Sequence, residues 1–154
     1  MHDIRNVLEL ARKDGVAVGH FNVADLVLLK AVFSSAQELQ VPVLVGASEG
    51  EREFMGVRQI VALVRSLREE FDFPVFLNAD HTHTLEKAIE AAKAGFDTVV
   101  FDASALPFEQ NVRRTKEAVE ASKQSILRSS LKERSAISVR DLKYMKSLLI
   151  CRNT

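Results

Sequence analysis

The sequence predicts an α/β protein organised around a parallel sheet, with the extent of half a (β/α)8 barrel. Three observations carry that expectation. Short apolar runs alternate with amphipathic segments in four strand–helix units, at intervals of roughly 25–30 residues, as crossover units do. No hairpin signal separates one apolar run from the next, so the strands are expected to lie parallel and to be joined by helices. No glycine-rich phosphate fingerprint follows the first strand, which counts against a doubly wound dinucleotide-binding sheet. Four units in about 121 residues are half the usual length of a barrel.

Each element has a local reason. Asn6 is placed to cap a helix, Val7–Lys13, which stops at Asp14-Gly15. Val16–Asn22 reads as a short buried strand. Asp25 begins an apolar helix with Leu26, Leu29, Val32, Phe33 and Ala36 at three- and four-residue spacing. Val41–Gly46 is a second strand, followed by a polar loop from Ala47 to Glu53. A helix carrying Val57, Ile60, Val61, Val64 and Leu67 comes next. Asp72-Phe73-Pro74 introduces a third strand, Val75–Asn78. Thr84 caps a helix with Leu85, Ala88, Ile89 and Ala92, ended by Gly95. Thr98–Asp102 is a fourth strand, and Pro107 precedes a helix from Phe108 to about Ala121.

Composition narrows the function classes. The 154 residues are 47% hydrophobic and 27% charged, which excludes a disordered or collagen-like chain. Lys+Arg and Asp+Glu both number 21, so no basic excess points to nucleic acid or an anionic membrane. The lone Cys151 excludes an internal disulfide framework and a multi-cysteine zinc ribbon. Met1–Asn6 lacks the apolar core of a signal peptide, and no apolar run nears the ~20 residues of a membrane span. A soluble, cytoplasmic chain with no nucleic-acid and no membrane partner is expected.

The even balance conceals a division. From Lys123 to Thr154 eight basic residues face only Glu133 and Asp141, a net of +6, so the preceding part carries −6. All six glycines and all nine phenylalanines precede residue 123, whereas Tyr144 and Cys151 follow it.

In a parallel α/β sheet, chemistry gathers beyond the carboxyl ends of the strands. The residues there are His20-Phe21-Asn22, Ser48-Glu49, Asp80-His81-Thr82-His83 and Asp102-Ala103-Ser104. Asn78–His83 is the richest cluster, because a carboxylate and imidazoles together support metal binding and proton transfer. The plain alternative is that Asp80 and Thr84 cap the next helix while His81 stays solvated. His81 and His83 could chelate a metal from an extended backbone, although His83 reads as a loop residue beside a helix start. Ser48 and Ser104 could contact a phosphate or sugar hydroxyl, or simply serve turns and caps. Asn22 could hold a substrate oxygen or satisfy loop amides, and His20 could be a hydrogen-bonded core histidine. Arg113, Arg114 and Lys116 alternate with glutamates as on a solvated helix face.

At these residues the chain resembles the N-terminal half of the class II, zinc-dependent fructose-bisphosphate aldolases. The matching segments are His20–Val23, Ser48–Gly50, Phe76–His81, Ala94–Asp97 and Val100–Asn111, in the family's order across nearly all of residues 1–121. Family members usually carry His-x-Asp-His, whereas this chain has Asn78 at the first position. The resemblance implies a (β/α)8 barrel and a lyase that cleaves a ketose bisphosphate of the fructose 1,6-bisphosphate type. The products are dihydroxyacetone phosphate and an aldehyde. It implies Asp80 as the acid/base exchanging a proton with the C4 hydroxyl, and His81 as a ligand of Zn2+. Ser48 and Asn22 match substrate-binding positions. The family's other two zinc histidines, a Glu-x-Glu segment and glycine-rich phosphate loops belong to a second half that this sequence does not carry.

Where the family continues with a segment like Val-Glu-Gly-Glu-Ile-Gly, this chain has Leu131–Arg140. One allowed coding of those residues is TTG AAG GAG AGA TCG GCG ATA TCG GTA CGG. Read one base earlier, after a Ser130 codon ending in G, it gives Val-Glu-Gly-Glu-Ile-Gly-Asp-Ile-Gly-Thr. Residues 122–154 are therefore expected to be a foreign, frameshift-derived tail behind an aldolase half-barrel at 1–121. For this form the expectations are weak or absent Zn2+ binding, no turnover of its sugar-phosphate substrate, and homo-oligomers or aggregates formed through open sheet edges. The alternative function is a non-catalytic half-barrel remnant that self-associates.

Overall fold

The computed structural model describes residues 3–133 of the chain. In order, the elements are α1 (Ile4–Asp14), β1 (Gly19–Asn22), α2 (Leu26–Leu39), β2 (Val43–Ala47), α3 (Glu49–Met55), α4 (Val57–Phe71), β3 (Val75–Thr82), α5 (Leu85–Ala94), β4 (Thr98–Phe101) and α6 (Phe108–Glu133). The strands form a parallel four-stranded sheet in the order β1-β2-β3-β4, and helices make the crossovers. The α/β partial barrel expected from the alternating pattern is the fold observed. The chain divides after Asn78 into two compact units, so β3 contributes its first four residues to one and its last four to the other.

In the first unit β1 pairs with β2 in register His20↔Leu44, Phe21↔Val45 and Asn22↔Gly46. Val43 N–H reaches the Pro74 carbonyl at 3.2 Å, at the entry to β3. All five residues of β2 and Val75–Asn78 of β3 are buried, as central parallel strands are. Leu29, Phe33 and Ala36 of α2 and Ile60, Val61, Val64 and Leu67 of α4 are buried too, which satisfies their helical spacing. Phe33 meets Phe71 and Phe73 at ring separations of 5.2 and 5.6 Å. Fully burying one such large apolar side chain stabilises the fold by about 1.5–3 kcal/mol.

The second unit has a smaller core built from Ala79, Ala88, Ala91, Phe96, Val99, Phe101, Ala118 and Val119. Its alanines let α5 lie against α6.

Several boundaries differ from the sequence expectation, each for a local reason. Helix α1 starts earlier because Asp3, not Asn6, caps it, its carboxylate accepting from Arg5 N–H at 3.0 Å. Strand β1 is only four residues long and exposed throughout, because it lies at the sheet edge with one neighbour. The expected loop from Ala47 to Glu53 is largely α3. Ser48 and Glu51 close a capping box there, with Glu51 N–H donating to Ser48 Oγ at 3.4 Å and Ser48 N–H to Glu51 Oε2 at 2.6 Å. Strand β3 runs on to Thr82, which puts Asp80 and His81 on the strand rather than in a loop. Helix α6 runs on to Glu133, past the helix end expected near Ala121. Residues 134–154 of the expected tail lie outside the described residues.

Candidate active site

The polar residues named from sequence fall into one cluster in each unit. In the first, strand alternation puts His20 and Asn22 on one face of β1. Asn78, the departure from the His-x-Asp-His pattern, is only 3% exposed, and its Nδ2 donates to His20 Nε2 at 3.1 Å. Asn22 Nδ2 donates to Glu51 Oε2 at 3.3 Å, so the glutamate that closes the α3 capping box also holds Asn22. Ser48, half-buried at the helix start, is engaged as that helix's N-cap.

Glu51 is the residue of this cluster that sequence reasoning passed over. Its signal was the Ser-x-x-Glu spacing. Gly46 was passed over as well. A Cβ there would lie under 3.0 Å from Asn22 Oδ1 and His20 Nε2, so both side chains need the hydrogen that glycine offers. His20 itself is exposed rather than a core residue, because β1 is an edge strand.

In the second unit, Asp102 N–H donates to the Thr82 carbonyl at 2.8 Å, tying the end of β4 to the end of β3. The Asp102 carboxylate then bridges two groups. Oδ1 accepts from Ser104 N–H and Oδ2 contacts His81 Nδ1, both at 2.9 Å. Hydrogen bonds from the Ser104 hydroxyl, His81 and the Ser104 backbone hold this carboxyl well below the usual carboxylate range. His81 is shifted the other way: its bond to Asp102, then the charge of Asp80, raises it above its ordinary value.

His81 has φ +42°, and among the described residues it is the one non-glycine strand residue in the left-handed region. Such a backbone costs on the order of 1–3 kcal/mol and persists only where surrounding contacts determine it. Asp80 is half-buried beside it, and Thr84, not Asp80, supplies the α5 cap by accepting from Lys87 N–H at 3.3 Å. His83 lies outside the strand, its Nδ1 3.4 Å from the Asp102 carbonyl.

The arrangement holds an imidazole in a fixed orientation beside a carboxylate, which suits proton transfer and one metal bond. A catalytic zinc takes three protein ligands. Among the described residues no group of three or more His, Cys, Asp and Glu side chains could hold a metal ion. His81 fits one position of such a set, and the described residues do not complete it.

Comparisons with known proteins identify the family and the fold. Residues 2–126 match the family described as fructose-bisphosphate aldolase class-II. A fructose-bisphosphate aldolase of Staphylococcus aureus is 39% identical over 120 residues, covering 76% of this chain and 42% of the relative. The crystal structure of the YdjI aldolase from Escherichia coli K12 superimposes with a TM-score of 0.71 at 31% identity, covering 77% of this chain and 46% of that one. The fructose-bisphosphate aldolase of Campylobacter jejuni shares the fold, with a TM-score of 0.69 at 21% identity over 77% of this chain and 41% of that one. This chain thus spans less than half the length of these relatives. With the family match covering most of its length, the chain belongs to the class II fructose-bisphosphate aldolase family.

Proposed function

We propose that this chain carries the N-terminal part of an aldolase site for reversible cleavage of a ketose bisphosphate of the fructose 1,6-bisphosphate type. The observation that supports this reading is the Asp80–His81 pair at the end of β3, with His81 held by Asp102. Asp80 takes the proton of the C4 hydroxyl as the C3–C4 bond breaks. The bonding electrons pass to the C2 carbonyl as an enediolate, and C4 leaves as the aldehyde. Ser48 and Asn22 contact the sugar phosphate. When bound by His81 and the family's two further histidines, zinc supplies a Lewis acid for the ketone.

His81 matches one of those three ligands, and the reading extends to a 154-residue form that is inactive on its own and binds zinc weakly. Residues 122–154 are an out-of-frame product, a reading supported by the Val-Glu-Gly-Glu-Ile-Gly-Asp-Ile-Gly-Thr segment recovered in the shifted frame. Sequencing the coding DNA across residues 118–132 tests the tail: an intact frame with no shifted aldolase segment refutes it.

The functional test uses a chain with its frame restored. It should cleave fructose 1,6-bisphosphate with zinc present and stop with a chelator. Asp80→Ala should lower turnover about 10²–10⁴-fold, the usual contribution of a positioned acid/base, while leaving bound zinc unchanged. Unchanged turnover removes Asp80 from the mechanism.

One observation favours a second reading, a cytoplasmic remnant that self-associates without catalysis. Strand β1 is an exposed edge, and beside it an apolar groove is lined by Phe21, Val32, Leu39, Val41 and Pro42. Among the described residues no helix is long and apolar enough to cross a membrane. Light scattering on a chromatographed sample separates the readings: a concentration-independent monomer rules out self-association.

A further inference from the structure

His20 stands on β1 and Asn78 on β3, with β2 between them. Their side chains nevertheless meet, Asn78 Nδ2 and His20 Nε2 being 3.1 Å apart. Gly46 on β2 is the clearance that allows this, since a Cβ at that position would lie under 3.0 Å from His20 Nε2. A side chain therefore spans a neighbouring strand to reach the second strand over, above a residue with no side chain of its own.

The chemistry of the contact is directional. An amide nitrogen can only donate, so the imidazole Nε2 that faces it must accept, and the proton of the neutral ring is on Nδ1. Asn78 is buried and His20 exposed, so the inner residue sets the tautomer that the outer one presents. On the same face of β1, Asn22 is held by Glu51, which also closes the cap at Ser48. Both residues proposed to contact the substrate are thus held by one carboxylate, and Asn22 shares with His20 the space above Gly46.

We propose that His20 is a sugar-recognition residue that donates from Nδ1 to a hydroxyl or carbonyl oxygen of the substrate, and that Asn78 is the positioning residue that fixes its tautomer. The inference rests on the sugar-phosphate reading above and adds to it a residue outside the Asp80–His81 pair.

Nitrogen-15 NMR of the histidine rings in the 154-residue chain, titrated with fructose 1,6-bisphosphate, tests it. The free chain should show His20 as the Nδ1–H tautomer. Asn78→Asp, read at a pH where the ring is neutral, should invert it, because a carboxylate only accepts and so demands the proton on Nε2. If that variant does not fold, Asn78→Ala should give a mixture of tautomers instead. The sugar bisphosphate should shift the His20 ring signals, and either variant should weaken that response roughly fivefold, the size of one neutral hydrogen bond.

An Nε2–H tautomer in the unsubstituted chain overturns the proposal. So does a substituted chain that keeps both tautomer and affinity. If the amides of Asn22 and Ser48 respond while His20 does not, the proposal fails and the sugar-phosphate reading stands. If none of them responds, the reading fails and the proposal falls with it.

Discussion

The two polar clusters are held in different ways. In the first unit, Asn78 bonds to His20 while Asn22 and Ser48 both bond to Glu51, and a missing Cβ at Gly46 makes the space for His20 and Asn22. In the second, His81 and Asp102 are joined through ionisable atoms 2.9 Å apart, and the two groups shift in opposite directions. The clearance at Gly46 sets the first arrangement apart, and a directly bonded imidazole–carboxylate pair the second. A substitution that changes volume should thus harm the first, while pH and salt should reach mainly the second.

The largest expected effect is on shape. Gly46→Ala puts a methyl group where His20 Nε2 and Asn22 Oδ1 already lie, on a fully buried strand. Overpacking of this kind costs about 1–3 kcal/mol, read as a lower urea midpoint. The amide signals of His20 and Asn22 should move with it, while those of Asp102 and Ser104 hold. A loss under about 0.5 kcal/mol, the level of an ordinary surface change, would mean that the clearance is not needed.

This contrast also explains what could be read from the sequence. Periodicity placed α2, α4, α5 and the cores of β2–β4, because a buried face repeats along the chain whatever its partners are. Asp80 and His81 were legible as a local pair, and the structure keeps them on one strand end. The His20–Asn78 contact was not legible. It joins residues 58 positions apart, and it depends on a glycine on a third strand that carries no signal of its own. Likewise, the edge position of β1 follows from sheet order, so the apolar run before Asn22 could be mistaken for a buried strand. The α3 helix was missed although its Ser48–Glu51 capping spacing was in view, because a highly charged segment has little hydrophobic period to support it.

The next effect is on charge. Asp102 is lowered from its ordinary 3.8, so its contribution is present above 3.8 and lost as pH falls through the depressed value. His81 is raised from 6.5, so its contribution is full below 6.5 and lost as pH rises through the raised value. The pair therefore stabilises the second unit most between 3.8 and 6.5. With the His81 side chain 56% exposed, solvent screening limits the pair to about 1 kcal/mol or less. Hydrogen exchange in β4 and α5 should show that decline above pH 6.5, and Asp102→Asn should flatten it. A decline of equal size in β1 and β2 would break the distinction between the units.

The smallest effect separates the two histidines of the His-x-His element. His81 is bound to a carboxylate through Nδ1 at 2.9 Å, on a backbone in the left-handed region. His83 has a longer contact, 3.4 Å, with a neutral carbonyl, and it is exposed. A long, exposed, uncharged contact of this kind contributes little, because water replaces it with almost no loss. His83→Ala should accordingly change stability by less than about 0.5 kcal/mol, the range of ordinary surface substitutions, with the pH profile of the second unit retained. His81→Ala should remove that profile, since it takes away the partner that holds the Asp102 charge. Paired thermal scans at pH 5.5 and 8 on both variants measure this. If His83→Ala erased the profile and His81→Ala left it, the charged pair of the second unit would have been assigned to the wrong imidazole.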